Sequence, residues 1–227
     1  MKENIHTIKI LDLIVSENCK DIFIVTNYVE MDLKHALKYS EKGLSAEDLL
    51  TITFKFLCAL SFMHKANVMH RDLKPGNILI DQDYNLFICD FGLARTSFKI
   101  ESNKKDYDRE KMSEKLISLR PGRQTQKRYL SNHVMTRQYR APEVIILEKK
   151  YRNSADLWSA GCILAELIFN QDVYREMGMS ETTPLFNGGF CEPLSPALNN
   201  EPLNKDQLYK IVKILGNLDE CDVSFLT

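Results

Sequence analysis

Residues 70–77 read His70-Arg-Asp-Leu-Lys-Pro-Gly-Asn77, and Asp90-Phe91-Gly92 follows after two short apolar runs. Those runs, residues 77–80 and 86–90, are rich in Ile, Leu and Phe and flank a polar stretch at 81–85, the pattern of a hairpin. A hairpin returns the end of its second strand to the start of its first. Asp90, thirteen positions after Asn77, is thereby brought back beside it.

Outward from that hairpin the chain divides into recognisable elements. Residues 8–15 and 22–28 are two more β-branched and aromatic runs, joined by the turn-like Ser16-Glu-Asn-Cys-Lys-Asp21, and predict a first hairpin. Ser45 followed by Asp48 is an N-cap signal for a long helix. Its apolar stripe is Leu49, Ile52, Phe56, Ala59, Leu60 and Met63. Other apolar residues surround the stripe, so burial on most sides is expected. A further helix is predicted from Asp156 to Ile168 and a last one from Asp206 to Leu215, with Gly216 as C-cap. Residues 170–203, with Gly188-Gly189 and four prolines, read as an irregular insertion.

The chain has 227 residues, 44% of them hydrophobic, enough for one large domain with a real core. Thirty basic and thirty-one acidic side chains balance to −1, which gives no reason to expect nucleic acid or an anionic membrane as partner. The balance is uneven: residues 93–130 hold eleven Lys/Arg against five Asp/Glu and predict a long exposed loop. Six cysteines lie far apart with no C-x-x-C pair, which argues against zinc. The first residues lack the apolar stretch of a signal peptide, and no run approaches a membrane span. A reduced intracellular protein, cytoplasmic and/or nuclear and monomeric, is the expectation.

The catalytic-loop pattern at 70–77, the Asp-Phe-Gly at 90–92 and Ala141-Pro-Glu143, in that order, resemble the signature set of eukaryotic protein kinases. Lys74, two residues after Asp72, fits the Ser/Thr class. Val134-Met-Thr-Arg-Gln-Tyr-Arg140, Asp156-Leu-Trp-Ser-Ala-Gly-Cys162 and the 206–216 helix look like the mitogen-activated and cyclin-dependent kinase group. Glu30-Met-Asp-Leu33 resembles the hinge of mitogen-activated kinases. The resemblance implies an α+β protein kinase-like fold, mostly the helical C-lobe with the last two strands of the N-lobe. Residues 1–28 would be an N-lobe remnant and the start of the hinge. Residues 29–227 would be C-lobe, with an activation segment at 90–143 and the insertion at 170–203.

The resemblance also implies roles. Asp72 would take the proton of a Ser or Thr hydroxyl in a protein substrate, and Lys74 would neutralise charge on the moving phosphoryl group of ATP. Asn77 and Asp90 offer oxygens to Mg²⁺, a hard ion. Thr136 would hydrogen-bond Asp72 and Lys74, Asp156 would anchor the catalytic-loop backbone, and Glu143 is structural. Adenine would meet the Asn27 carbonyl and Val29 amide, with Thr26 behind it and Leu79 beneath. Ser131 would be the phosphosite of an upstream activating kinase, its phosphate gripped by Arg71 and Arg95. The Met135 carbonyl, held by Arg140, would favour proline after the acceptor residue.

The sequence also departs from the family. Ser131-Asn-His133 stands where mitogen-activated kinases carry Thr-x-Tyr, and Gln138 replaces a bulky aromatic. Neither the glycine-rich loop nor the phosphate-gripping lysine precedes residue 15. The chain as given is therefore expected to be an incomplete kinase domain with little activity by itself. The alternative is a catalytically silent kinase-like module that competes for partners of a full-length kinase.

Overall fold

The computed structural model describes residues 5–18, 20–40, 42–96, 135–147, 152–177, 183–194, 196 and 201–216. Strands β1 (Ile10–Val15) and β2 (Ile22–Thr26) form the first hairpin, with Ile14 opposite Phe23. Ser16 closes its turn by donating its N–H to the Asp21 carbonyl at 3.0 Å. The strand expected to start at residue 8 starts later. The pairing slips between Ile10 and Asp12, and the preceding residues turn to a different partner. Ile8 donates its N–H to the Ile88 carbonyl and Ile88 donates to the His6 carbonyl, both at 3.0 Å. These two bonds tie the hairpin to the rest of the molecule. The hairpin itself is exposed on both faces, Ile22 by 63% and Phe23 by 57%.

Strand β3 (Met31–Asp32) leads into α1 (Leu33–Tyr39), capped where the Asp32 carboxylate accepts the His35 N–H at 2.8 Å. Helix α2 (Ala46–Lys65) begins with a reciprocal capping box. Ser45 Oγ accepts the Asp48 N–H and Asp48 Oδ2 accepts the Ser45 N–H. The stripe Ile52, Phe56, Ala59, Leu60 and Met63 is buried, with Leu49 packed at its edge. Burial on most sides does not hold: Leu50 and Phe54 are each 69% exposed. Residues three and four apart share one helix face, and only that face of α2 meets the core among the described residues.

Strands β5 (Ile78–Ile80) and β6 (Leu86–Ile88) form the hairpin expected around residues 81–85, and β3 adds to β5 on its other side. Strand β4 (Val68–Met69) pairs with β7 (Arg95–Thr96), Met69 opposite Arg95. After the undescribed residues 97–134 come α3 (Pro142–Ile145), α4 (Ser154–Phe169), α5 (Asp172–Glu176) and α6 (Gln207–Leu215). Helix α4 contributes Ile163 and Leu167 to one buried cluster with the α2 stripe, Ile78 and Ile88. Helix α6 is capped by Asp206, which accepts the Leu208 and Tyr209 N–H groups. It ends at Gly216, whose φ of 95° suits only glycine without strain.

The 170–203 stretch is more ordered than its proline and glycine content suggested. Helix α5 forms within it, and Phe186, Phe190, Cys191 and Leu194 are all buried. Phe186 stacks on Trp158 of α4 with ring centroids 5.5 Å apart. Proline and glycine prevent regular hydrogen bonding, but apolar side chains still find core, each gaining about 1.5–3 kcal/mol for a large residue. No helix among the described residues is long and apolar enough to cross a membrane. Cys58, Cys89, Cys162 and Cys191 are free thiols.

Candidate active site

The loop between β4 and β5 carries Asp72, Lys74 and Asn77, and three of the expected site residues converge on one carboxylate there. Asp72 Oδ1 accepts the Thr136 N–H at 2.8 Å and the Thr136 hydroxyl at 2.9 Å. Oδ2 accepts from Lys74 Nζ at 2.7 Å and from Asn77 Nδ2 at 3.1 Å. Lys74 Nζ also donates to Thr136 Oγ1 at 3.1 Å. Burial pushes the Asp72 carboxyl up, but the Lys74 and Thr136 hydrogen bonds outweigh it and hold the group below its ordinary range. Asp72 is thus an oriented anion at neutral pH, 7% exposed.

The loop backbone is held from beneath. Asp156, at the start of α4 and 1% exposed, accepts the His70 N–H through Oδ2 and the Arg71 N–H through Oδ1, both at 2.9 Å. His64 Nε2 of α2 meets the same Oδ2 at 2.9 Å. Asp156 thus joins the His70–Arg71 backbone and the His64 ring through one carboxylate. The His70 ring bridges Cys89 and Asp72: Nε2 lies 2.8 Å from the Cys89 carbonyl and Nδ1 accepts the Asp72 N–H at 3.3 Å. That assigns the proton to Nε2 and the neutral tautomer to the ring.

The β5–β6 hairpin does bring Asp90 to Asn77, since Cys89 donates its N–H to the Asn77 carbonyl at 3.1 Å. Asp90 sits in the left-handed region at φ 60°, its Oδ1 3.4 Å from the Gly92 N–H. Asn77 Nδ2 is spent on the Asp72 carbonyl and carboxylate, so Oδ1 is the atom it can offer outward. One amide oxygen and one lightly engaged carboxylate are hard donors that fit Mg²⁺. Behind Asp90 an open cleft of about 400 Å³ is lined by Thr26, Asn27, Val29 and Leu79 together with Ile8, Tyr28, Cys89 and Asp90. All four expected adenine contacts therefore share one cavity. Ile8 and Cys89 were not anticipated, because only the tertiary fold turns them inward.

Met135, at φ 75°, presents its carbonyl to Arg140 Nη2 at 3.0 Å, as expected. Beneath this segment Tyr139 donates its hydroxyl to Glu166 Oε1 at 2.6 Å, and Ser159 Oγ donates to the Tyr139 carbonyl at 2.8 Å. Neither partner was anticipated. Both sit on α4, twenty or more residues away, and no local motif marks them. Glu143 Oε1 accepts from Ser154 Oγ at 3.3 Å. Arg71 is buried and Arg95 donates from Nη1 to the Ala94 carbonyl, while Ser131 lies outside the described residues.

The family description "Protein kinase domain" matches residues 2–207, so the chain belongs to the protein kinase domain family. Mitogen-activated protein kinases are among its relatives. It is 32% identical over 225 residues to Mitogen-activated protein kinase 4 of Oryza sativa subsp. japonica, which covers 99% of this chain and 47% of that protein. It is 34% identical over 225 residues to Mitogen-activated protein kinase homolog NTF3 of Nicotiana tabacum, covering 99% and 46%. With Mitogen-activated protein kinase spm1 of Schizosaccharomyces pombe it shares 37% over 173 residues, covering 76% and 35%. The chain spans about half the length of the curated relatives it matches.

Proposed function

We propose that the protein carrying this chain is a mitogen-activated-kinase-like Ser/Thr kinase that transfers the γ-phosphate of ATP to proteins, preferring proline after the acceptor. The observation that supports this most is the Asp72 carboxylate, oriented by Thr136, Lys74 and Asn77. A substrate hydroxyl held there is aligned for in-line attack. Its oxygen bonds to the γ-phosphorus as the bond to the bridging oxygen breaks, ADP leaves, and the hydroxyl proton passes toward Asp72. Lys74 offsets the charge of the transferring group. Asn77 and Asp90 would hold Mg²⁺, which would supply charge neutralisation for the phosphates. The cleft of about 400 Å³ lined by Thr26, Asn27, Val29 and Leu79 would take the adenine.

In this reading residues 1–28 belong to the N-lobe and its hinge, and residues 29–227 to the C-lobe. Residues 90–143 form the activation segment, with Ser131 phosphorylated by an upstream kinase and gripped by Arg71 and Arg95. The setting is cytoplasmic or nuclear. Proline is favoured because the Met135 carbonyl, engaged by Arg140, cannot pair an incoming amide, and an unpaired amide costs about 1–3 kcal/mol. The test is phosphate transfer by the full-length protein to peptides carrying Ser or Thr followed by Pro or Ala. Mg²⁺-dependent transfer with faster turnover of the Pro peptides is expected. Equal rates would remove the proline preference, and no transfer at all would favour the silent binding module.

A further inference from the structure

Residues 183–194 form an arch against the segment that carries Met135 and Arg140, with Phe186, Phe190, Cys191 and Leu194 as its buried side chains. Leu194 is 4% exposed and shares one buried cluster with Met135, Ala141, Val144 and Ala155. Cys191, fully buried, places its thiol beside the Arg140 guanidinium, with Arg137 and Asp206 close by. Two further links come from the base of the arch. Gln207 donates from Nε2 to the Phe186 carbonyl at 3.0 Å and accepts the Gly188 N–H at 2.9 Å. A side chain at Gly188 would fall 2.7 Å from the Gln207 Cα, so only glycine lets the arch lie this close to α6.

The Met135 conformation needs such support. A non-glycine residue at φ 75° is strained, and it persists only where its surroundings hold it. Two contacts hold Met135 among the described residues: Arg140 on its carbonyl, and the buried cluster around its side chain. Arg140 itself is 3% exposed; its Nη2 donates to the Met135 carbonyl, Nε and Nη1 have no partner among the described residues, and the Cys191 thiol lies against the guanidinium. With so few polar partners, the groups packed around the guanidinium set where it lies, and the Cys191 thiol is one of them.

We infer that Cys191 and Leu194 are positioning residues for substrate selection, holding Arg140 and Met135 so that the Met135 carbonyl stays turned from the residue after the acceptor. The arch is thus part of the recognition apparatus and not a passive surface insertion. Loosening it would let the carbonyl rotate back and pair with an ordinary amide. Discrimination would then fall while the phosphate-transfer groups around Asp72 stay in place. The inference rests on the proline-directed reading above.

The experiment compares the full-length protein with its Leu194→Ala, Leu194→Met and Cys191→Ala variants, plus Val173→Ala as a control at an exposed position. For each, kcat/KM is measured on a peptide pair differing only in Pro or Ala after the acceptor, together with KM for ATP and Tm. The Pro-to-Ala ratio should drop about tenfold in Leu194→Ala and Cys191→Ala, as one unpaired amide sets that discrimination. Leu194→Met, similar in volume, should restore it. KM for ATP should not move. A merely structural role would slow both peptides alike, so an unchanged ratio in a folded variant overturns the inference. If Leu194→Ala fails to fold, Cys191→Ala decides by the same ratio. A wild-type protein with no proline preference overturns the reading beneath it, and the inference with it.

Discussion

Thr136 donates both its backbone N–H and its hydroxyl to the same oxygen of Asp72, at 2.8 and 2.9 Å. The two residues are 64 positions apart, so two hydrogen bonds to one carboxylate oxygen tie the segment before α3 to the loop between β4 and β5. Removing the hydroxyl leaves Oδ1 with a single donor and Lys74 without its second contact. Thr136→Val should lower kcat roughly ten- to hundredfold, equivalent to about 1–3 kcal/mol, with KM for ATP unchanged. Thr136→Ser, which keeps the hydroxyl, should retain most activity. Steady-state kinetics of the full-length protein checks both.

The two acidic residues of the loop hairpin should fail differently. In the proposed reaction Asp72 takes the substrate hydroxyl proton, so Asp72→Asn should abolish turnover and leave nucleotide affinity near that of the parent. Asp90 lines the cleft proposed to take the nucleotide, so Asp90→Asn should weaken Mg-ATP binding itself. Calorimetric titration with Mg-ATP beside turnover assays separates them. Equal behaviour in the two variants would refute the division of roles.

Asp156 accepts three hydrogen bonds while almost wholly buried. Asp156→Asn replaces one acceptor oxygen by an N–H group that faces another donor. A loss of about 1–3 kcal/mol, or roughly 2–10 °C in Tm, should follow. Activity should fall with it, because the His70 and Arg71 amides position Asp72. Thermal melting and turnover on the same preparation test this.

Glu166 gives a pH-dependent prediction. Burial raises its carboxyl above the ordinary value of 4.5, only partly countered by the Tyr139 hydrogen bond. A raised folded-state pKa favours the native state while the group is protonated, and that contribution fades as pH rises through the folded value. Glutamine cannot ionise and still accepts from the Tyr139 hydroxyl. Relative to the parent, Glu166→Gln should therefore gain Tm as pH rises above the ordinary carboxylate value of 4.5. A difference that stays flat or reverses with pH would contradict the assignment.

Much of this was readable in the sequence because it is local. The capping box at Ser45 and Asp48, the stripe from Ile52 to Met63 and the hairpin that returns Asp90 to Asn77 depend on residues a few positions apart. Periodicity and turn chemistry report such neighbours directly. The candidate site residues were legible for the same reason: Asp72, Lys74 and Asn77 occupy one loop with motif spacing. Other features had no local mark. The exposed face of α2 carries the same residue types as its buried face, and which one meets core depends on where α4 lies. The support of Tyr139 by Glu166 and Ser159, the His64 contact to Asp156 and the arch from Phe186 to Leu194 over Met135 join residues far apart in the chain. A buried polar group takes whatever partner the packed chain brings within reach, and only tertiary packing decides which that is.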